Sequence, residues 1–321
     1  MRAVQVTRLD GPEAIEIVDV AEPVAAPHEV LIDVHRVGIS FPDLLLSRGQ
    51  YQLKPELPFT LGVDVAGTVV EDGNGFTAGQ RVCAVVPYGG GAERIAVNVD
   101  FVFPLPDEMS LDEGAALPMN YLTAHFALVV RGQAQPGESI LIHGAAGGVG
   151  TATIQTAKAL GLTAIAVVST PEKGEVAKAA GADHVVLIDG FKDEVKAITE
   201  GRGVDLVLDV VGGDVFTDSL RSLAPLGRLL VVGFAAGQGI PEVKVNRLLL
   251  NNIDVRGVGW GDYAMRRAGY LKQQWNEIVP LIETGSIKPP IGAVYPVEEF
   301  GQALLDLDAR KAVGKLVVAI R

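Results

Sequence analysis

The sequence predicts an α/β fold in which a doubly wound parallel-sheet domain is inserted into a β-rich one. Three observations carry that prediction. The chain has 321 residues, room for about two domains at roughly 150 residues each. From Ser139 onward, apolar runs of strand length alternate with amphipathic stretches, whereas the first 120 residues are short alternating runs between Gly, Pro, Asp and Asn clusters. The 38 glycines are well above the usual share of about 7%, and many fall where the apolar runs end.

Each element follows from local pattern. In the first region, Glu29 to Val34 and Gly67 to Val70 read as strands, and Asp72-Gly73-Asn74-Gly75 reads as a turn. From Asp112 to Ala127 the pattern is helical. Strands are then expected over 139–143, 164–168, 184–188, 206–211, 228–233 and 253–258. Helices fall between them, from the glycine loop to Leu160 and over 171–181, 192–200 and 216–223. Runs such as LVLDVV and LLVVG suit strands buried on both faces, as in a parallel sheet. After Tyr263 one helix is expected to Glu283, then strands over 292–296 and 316–320 flanking a helix over 297–308. The tail does not extend the wound sheet. The expected division is therefore 1–120 completed by 266–321, with 121–265 as the inserted domain.

Composition excludes several classes. The net charge of −12 argues against nucleic-acid or anionic-membrane partners, which want basic surfaces. A single cysteine, Cys83, rules out an intrachain disulfide framework and a multi-thiolate zinc site. No apolar run approaches the roughly 18 residues of a membrane span. The opening MRAVQVTRLDGPEAIEIVDV alternates like a strand and meets acid early, unlike a secretory signal. The expectation is a cytoplasmic protein.

The strongest motif is HGAAGGVG at 143–150, which follows a strand and opens the helical stretch TATIQTAKAL. Against the template G-x-G-x-x-G it reads Ala145-x-Gly147-x-x-Gly150. Gly147 lets backbone approach a pyrophosphate, and Gly150 lets the helix pack close to the strand. The backbone of Ala146, Gly147, Gly148, Val149 and Gly150 would then offer N–H groups at a positive helix end. Twenty residues on, where an NAD enzyme wants an acid, the sequence is Ser169-Thr170-Pro171-Glu172-Lys173. Thr170 reads as an N-cap, Pro171 as the first helical residue, and Glu172 as a complement to the helix dipole. Lys173 fits that dipole badly but suits a 2′-phosphate, to which Ser169 can also donate. The cofactor expected is NADPH.

HGAAGGVG, VGISFPDLLLSRGQYQLKPELPF, PMNYLTAHFAL and VRGVGWG together resemble medium-chain dehydrogenase/reductases of the zinc-free quinone oxidoreductase (zeta-crystallin-like) branch. The resemblance spans essentially the whole chain. It implies a GroES-like catalytic domain around an inserted Rossmann domain, and a homodimer. Zinc enzymes of this superfamily carry Cys after a Gly near residue 40, and Gly-His-Glu about 25 residues later. Here those positions read Gly38-Ile39 and Gly62-Val63-Asp64. The five histidines lack ligand spacing.

The resemblance implies hydride transfer to a conjugated acceptor, a quinone or an α,β-unsaturated carbonyl. An enoyl-thioester reductase is the first alternative, and a non-catalytic NADPH-binding protein is an alternative of another class. Tyr51 matches a tyrosine lining the nicotinamide, and also the proton donor of enoyl-thioester reductases. Its phenol is either that donor or a wall of the pocket. Ser40 replaces an asparagine at the substrate-facing edge, and Asp43 is a hydrogen-bonding scaffold or an acid. Thr123 resembles the residue that packs on the nicotinamide, unless its hydroxyl bonds back to its own turn. Gly212, Gly213, Gly233, Phe234, Ala235, Val258, Gly259 and Trp260 end the later strands, where an open α/β sheet binds ligands. Trp260 shapes the substrate cleft or belongs to an interface.

Overall fold

The computed structural model describes all 321 residues, Met1–Arg321. The chain divides into two compact units. One comprises Met1–Met119, Arg267–Val279 and Pro289–Arg321, the other Asn120–Arg266 and Pro280–Lys288. No helix is long and apolar enough to cross a membrane.

The first unit opens with β1 (Arg2–Val6), β2 (Ile15–Asp19) and β3 (Glu29–Gly38), then a short helix α1 (Phe41–Ser47). It continues through β4 (Phe59–Thr60), β5 (Asp64–Val69), β6 (Arg81–Val85), β7 (Arg94–Asn98), β8 (Val102–Pro104) and a single turn α2 (Leu111–Gly114). The expected turn is present, with Gly73 and Phe76 exchanging backbone bonds of 3.0 and 2.9 Å. The helix expected from 112 to 127 is interrupted. Pro118 starts a new one, α3 (Pro118–His125), because it has no N–H to continue the first; a π-turn over 126–131 follows.

The second unit is the wound sheet. Its elements are β9 (Ser139–Ile142), α4 (Gly148–Ala159), β10 (Thr163–Val168), α5 (Pro171–Ala179), β11 (His184–Leu187) and α6 (Phe191–Ile198). Then come β12 (Val204–Asp209), α7 (Val215–Arg221), β13 (Leu223–Val231), α8 (Asn246–Asn251), β14 (Asp254–Gly257) and α9 (Trp260–Met265). All six strands pair in parallel, in the order β11-β10-β9-β12-β13-β14. The order reverses beside β9, which puts the glycine loop at the switch point. β9 is wholly buried, and so are Leu206–Asp209 and Leu229–Leu230 of the runs LVLDVV and LLVVG, whereas β14 at the sheet's end is half-exposed, as an edge strand is. The core joins Leu141, Ile165, Val207 and Leu229 to Phe191 and Phe216 from the helices. Arg228 is buried there, satisfied by the Glu138 carboxylate at 2.6 and 2.7 Å and by the Gly132 carbonyl.

The single helix expected after Tyr263 is two. α9 ends at Met265, and Gly269, at φ +74°, turns the chain into α10 (Tyr270–Glu283). The tail supplies β15 (Ile291–Pro296), α11 (Phe300–Asp308) and β16 (Lys315–Ala319). β16 pairs antiparallel with β3, which places the tail in the first unit's seven-stranded sheet, where β15-β16-β3-β5-β6-β8 run side by side and β7 also pairs with β3. The stretch 280–288 belongs to the wound unit instead. The Gln155 carboxamide holds it there, donating to the Lys288 carbonyl at 2.8 Å and accepting from the Lys288 N–H at 2.9 Å.

Candidate active site

In the wound unit, glycines sort by what a side chain would meet. A β-carbon on Gly150 would lie 2.2 Å from the Gly144 carbonyl oxygen and 2.7 Å from Ala145 Cα, so that glycine serves helix–strand packing. A β-carbon on Gly147 would find only the Gly144 oxygen at 3.4 Å, and one on Gly233 only the Val210 oxygen at 3.5 Å. At Gly259 it would meet nothing within 4 Å. None of these three has a positive φ, so neither internal packing nor backbone geometry demands glycine there. What remains is a cradle that a side chain would fill, at the carboxyl ends of parallel strands. That is the fit a dinucleotide backbone needs.

The donors are in place. No side chain caps α4, so the N–H groups of Gly148, Val149 and Gly150 stand at a positive helix end. Asp209 shapes the neighbouring strand end, accepting from the N–H groups of Val211 and Gly212 at 2.8 Å each. Gly212 and Gly213, at φ +65° and +62°, complete that turn. The Ala235 N–H bonds the Val210 carbonyl at 3.0 Å, bringing the next strand end alongside, and Phe234 beside it is partly exposed. Val258 is tied to β13 through the Val231 carbonyl at 2.9 Å. Trp260, read as cleft or interface, is buried at the start of α9.

At α5 the capping is as expected. The Thr170 hydroxyl accepts from the Lys173 N–H at 3.4 Å, and Pro171 opens the helix. The exposed Glu172 carboxyl is held below its ordinary value by its own backbone N–H and by Thr170. That gives this acid a local role without a ribose. Ser169 is exposed beside it.

His143 just precedes the loop and is wholly buried, which pushes its imidazole down to about 4 and keeps it neutral. Its Nε2 lies 2.8 Å from Ser219 Oγ, which itself donates to the Val215 carbonyl. The histidine is therefore a packing residue, as expected of the scattered histidines.

In the first unit, four polar side chains meet in a buried cluster. Lys315 Nζ donates to Asp64 Oδ2 and Ser40 Oγ, each at 2.7 Å, and Ser40 Oγ donates to Asp64 Oδ2 at 3.0 Å. The other Asp64 oxygen accepts from the Met119 N–H at 2.8 Å, in the first turn of α3. Asp43 accepts from the N–H groups of Ser40 at 3.1 Å and Gly62 at 2.9 Å. Burial pushes the Asp43 carboxyl up to about 7, against those two N–H groups; the charge on Asp64 adds to the rise and Lys315 opposes it. Burial and Asp64 likewise push the Cys83 thiol up, so it stays protonated.

Ser40 and Asp43 are thus brought together by hydrogen bonds within the unit. Both are buried and their polar atoms are committed inside the unit. Tyr51, four residues beyond α1, is half-buried against the same core. Burial, then the charge on Asp43, raises its phenol above the ordinary value, so it holds its proton. Sequence reading missed Asp64 and Lys315 as partners. The available signal was a lysine at the head of the apolar run LVVA, where a solvated charge is out of place.

A wound dinucleotide-type unit with a β-rich companion defines a nucleotide-dependent dehydrogenase or reductase. Residues 148–284 match the zinc-binding dehydrogenase family and residues 26–107 the alcohol dehydrogenase GroES-like domain. Quinone oxidoreductase-like protein 2 of Bos taurus is 37% identical, over 100% of this chain and 93% of that protein. The quinone oxidoreductase of Thermus thermophilus, solved alone and with NADPH, is 37% identical with a TM-score of 0.86 over 100% of both chains. The Escherichia coli quinone oxidoreductase complexed with NADPH is 29% identical with a TM-score of 0.90, over 99% of this chain and 100% of that one. The chain belongs to the quinone oxidoreductase branch of the medium-chain dehydrogenase/reductases.

Zinc, which the first family description implies, does not fit the residues present. Ile39 and Val63 are apolar. Both Asp64 oxygens already accept from Met119, Ser40 and Lys315. No group of three His, Cys, Asp or Glu side chains is arranged to hold a metal ion.

Proposed function

We propose that this chain is an NADPH-dependent reductase of quinones and α,β-unsaturated carbonyls that works without zinc. One observation carries the reading: at Gly147, before the uncapped start of α4, and at Gly233, after β13, a β-carbon would meet only one backbone oxygen, at 3.4 and 3.5 Å, which leaves room for a dinucleotide backbone. The NADPH complexes of the related structures and the Lys315–Asp64 pair at the would-be metal position support it.

Ala146 to Gly150 would hold the pyrophosphate, Ser169 and Lys173 the 2′-phosphate, and Thr123, Gly213, Gly233, Phe234, Ala235, Val258 and Gly259 the nicotinamide half. Bound NADPH supplies a hydride, which a conjugated acceptor can take. Tyr51 keeps its proton and donates a hydrogen bond to the oxygen on which charge develops. Ser40 and Asp43 position α1 and the segment after it. Lys315 offsets buried negative charge beside them. The reading includes a homodimer through the unpaired edge of β14, where Val245, Leu249 and Leu250 just upstream are exposed.

Nucleotide titrations of wild type and Lys173→Glu test the reading. NADPH should bind wild type at least about tenfold more tightly than NADH, and the variant should lose about a hundredfold for NADPH but only about threefold for NADH. Equal losses for both would overturn the NADPH assignment.

A further inference from the structure

Two polar side chains on α3 have no partner within the chain. Asn120 and Thr123 are three residues apart and share a helix face. They are 5% and 7% exposed. The hydroxyls of Thr151, Thr153 and Thr199 bond back to carbonyls four residues earlier, but that of Thr123 makes no such bond, and the Asn120 carboxamide has no hydrogen bond either. The polar atoms of Asn120 and Thr123 keep a little exposed surface, so water can reach them, and so could a ligand atom.

The Asn120 carboxamide lies flat over Gly148, the first residue of α4. A β-carbon there would stand 2.5 Å from Nδ2, 3.1 Å from Cγ and 3.2 Å from Oδ1. Gly148 is therefore glycine to admit Asn120, a different reason from that of Gly147 or Gly150. An unused donor thus rests against the helix end whose own N–H groups of Gly148, Val149 and Gly150 are uncapped.

We propose that Asn120 is a further cofactor-binding residue, its amide N–H donating to a pyrophosphate oxygen of the dinucleotide above Gly147–Gly150. This rests on the NADPH reading and extends it to a residue outside the glycine motif. The pyrophosphate is common to NADPH and NADH, so Asn120 acts on both alike, whereas Lys173 discriminates between them.

The test is fluorescence titration of both nucleotides against wild type, Asn120→Ala and Asn120→Asp, with thermal melts of the nucleotide-free proteins. Asn120→Ala should weaken NADPH and NADH by about tenfold each, leaving their ratio unchanged, and the nucleotide-free protein should melt no lower than wild type. Asn120→Asp keeps the shape but turns a carboxylate toward phosphate, and should weaken both by more than about a hundredfold. Gly148→Ala, which displaces the carboxamide, should reproduce the Asn120→Ala loss. Affinities within about twofold of wild type in both Asn120 variants would overturn the assignment while leaving the NADPH reading intact. Wild type binding neither nucleotide would overturn both.

Discussion

Replacing Gly147 and Gly150 in turn by alanine separates the glycines that serve the fold from those that serve a ligand. At Gly150 the new carbon would meet the Gly144 oxygen at 2.2 Å and Ala145 Cα at 2.7 Å, both backbone atoms that cannot swing aside. Overpacking of that kind costs about 1–3 kcal/mol or more, and here α4 must lift off β9, so the upper end is expected. At Gly147, with φ −84° and ψ 176°, alanine is conformationally allowed and its nearest neighbour is 3.4 Å away. Alanine is a poorer helix cap than glycine, but it also restricts the unfolded chain. Those opposing effects leave the stability within about 1 kcal/mol of wild type. A methyl in the cradle would hold the pyrophosphate off the α4 end. Two charge-assisted hydrogen bonds lost at about 1.5 kcal/mol each amount to roughly a hundredfold in Kd. Thermal melts and NADPH fluorescence titration read the two quantities separately. Gly147→Ala should melt like wild type and bind about a hundredfold more weakly, and Gly150→Ala should melt markedly lower. If Gly147→Ala binds NADPH within about threefold of wild type, or melts as low as Gly150→Ala, the sorting is wrong.

Other consequences concern the first unit. Tyr51→Phe should lower enone turnover by about a hundredfold with NADPH affinity unchanged, and unaltered turnover would reduce the ring to a wall of the pocket. Lys315→Met leaves the Asp64 charge buried without its partner and should destabilise the protein by about 3–5 kcal/mol in chemical denaturation. A loss below about 1 kcal/mol would show that the cluster does not carry that charge. The Asp43 carboxyl, at about 7, binds its proton more tightly in the folded protein than in the unfolded chain. Its stabilising contribution is complete below the ordinary value of 3.8 and is lost as pH rises toward about 7. Between those limits the Tm of wild type should fall relative to that of Asp43→Asn, and parallel Tm profiles would refute the shift.

Much of the wound unit was legible because its signals are local. An apolar run, a glycine turn and a helix repeat within about 30 residues, and Thr170-Pro171 announces α5 by itself. One break was local. After Tyr263, Arg266 and Arg267 followed by Gly269 form a helix-end signal that a single helix to Glu283 runs over, and the turn at that glycine separates α9 from α10. The others came where tertiary structure overrides pattern. The stretch 280–288 reads as helix and linker, yet one glutamine far upstream claims it. The buried cluster was least legible. Ser40 and Asp64 lie 275 and 251 residues from Lys315, and no periodicity connects them. Asn120 escaped for a related reason: a lone asparagine in an apolar helix carries no signal until Gly148 is seen beneath it.

Steady-state NADPH oxidation by metal-depleted protein tests the central claim most directly. Chelator-treated enzyme, shown by elemental analysis to lack stoichiometric zinc, is offered a 1,4-quinone, a simple enone and crotonyl-CoA. The account predicts turnover of the quinone or the enone at the rate of untreated enzyme. Activity that disappears on chelation and returns with zinc, or that is confined to crotonyl-CoA, would contradict it.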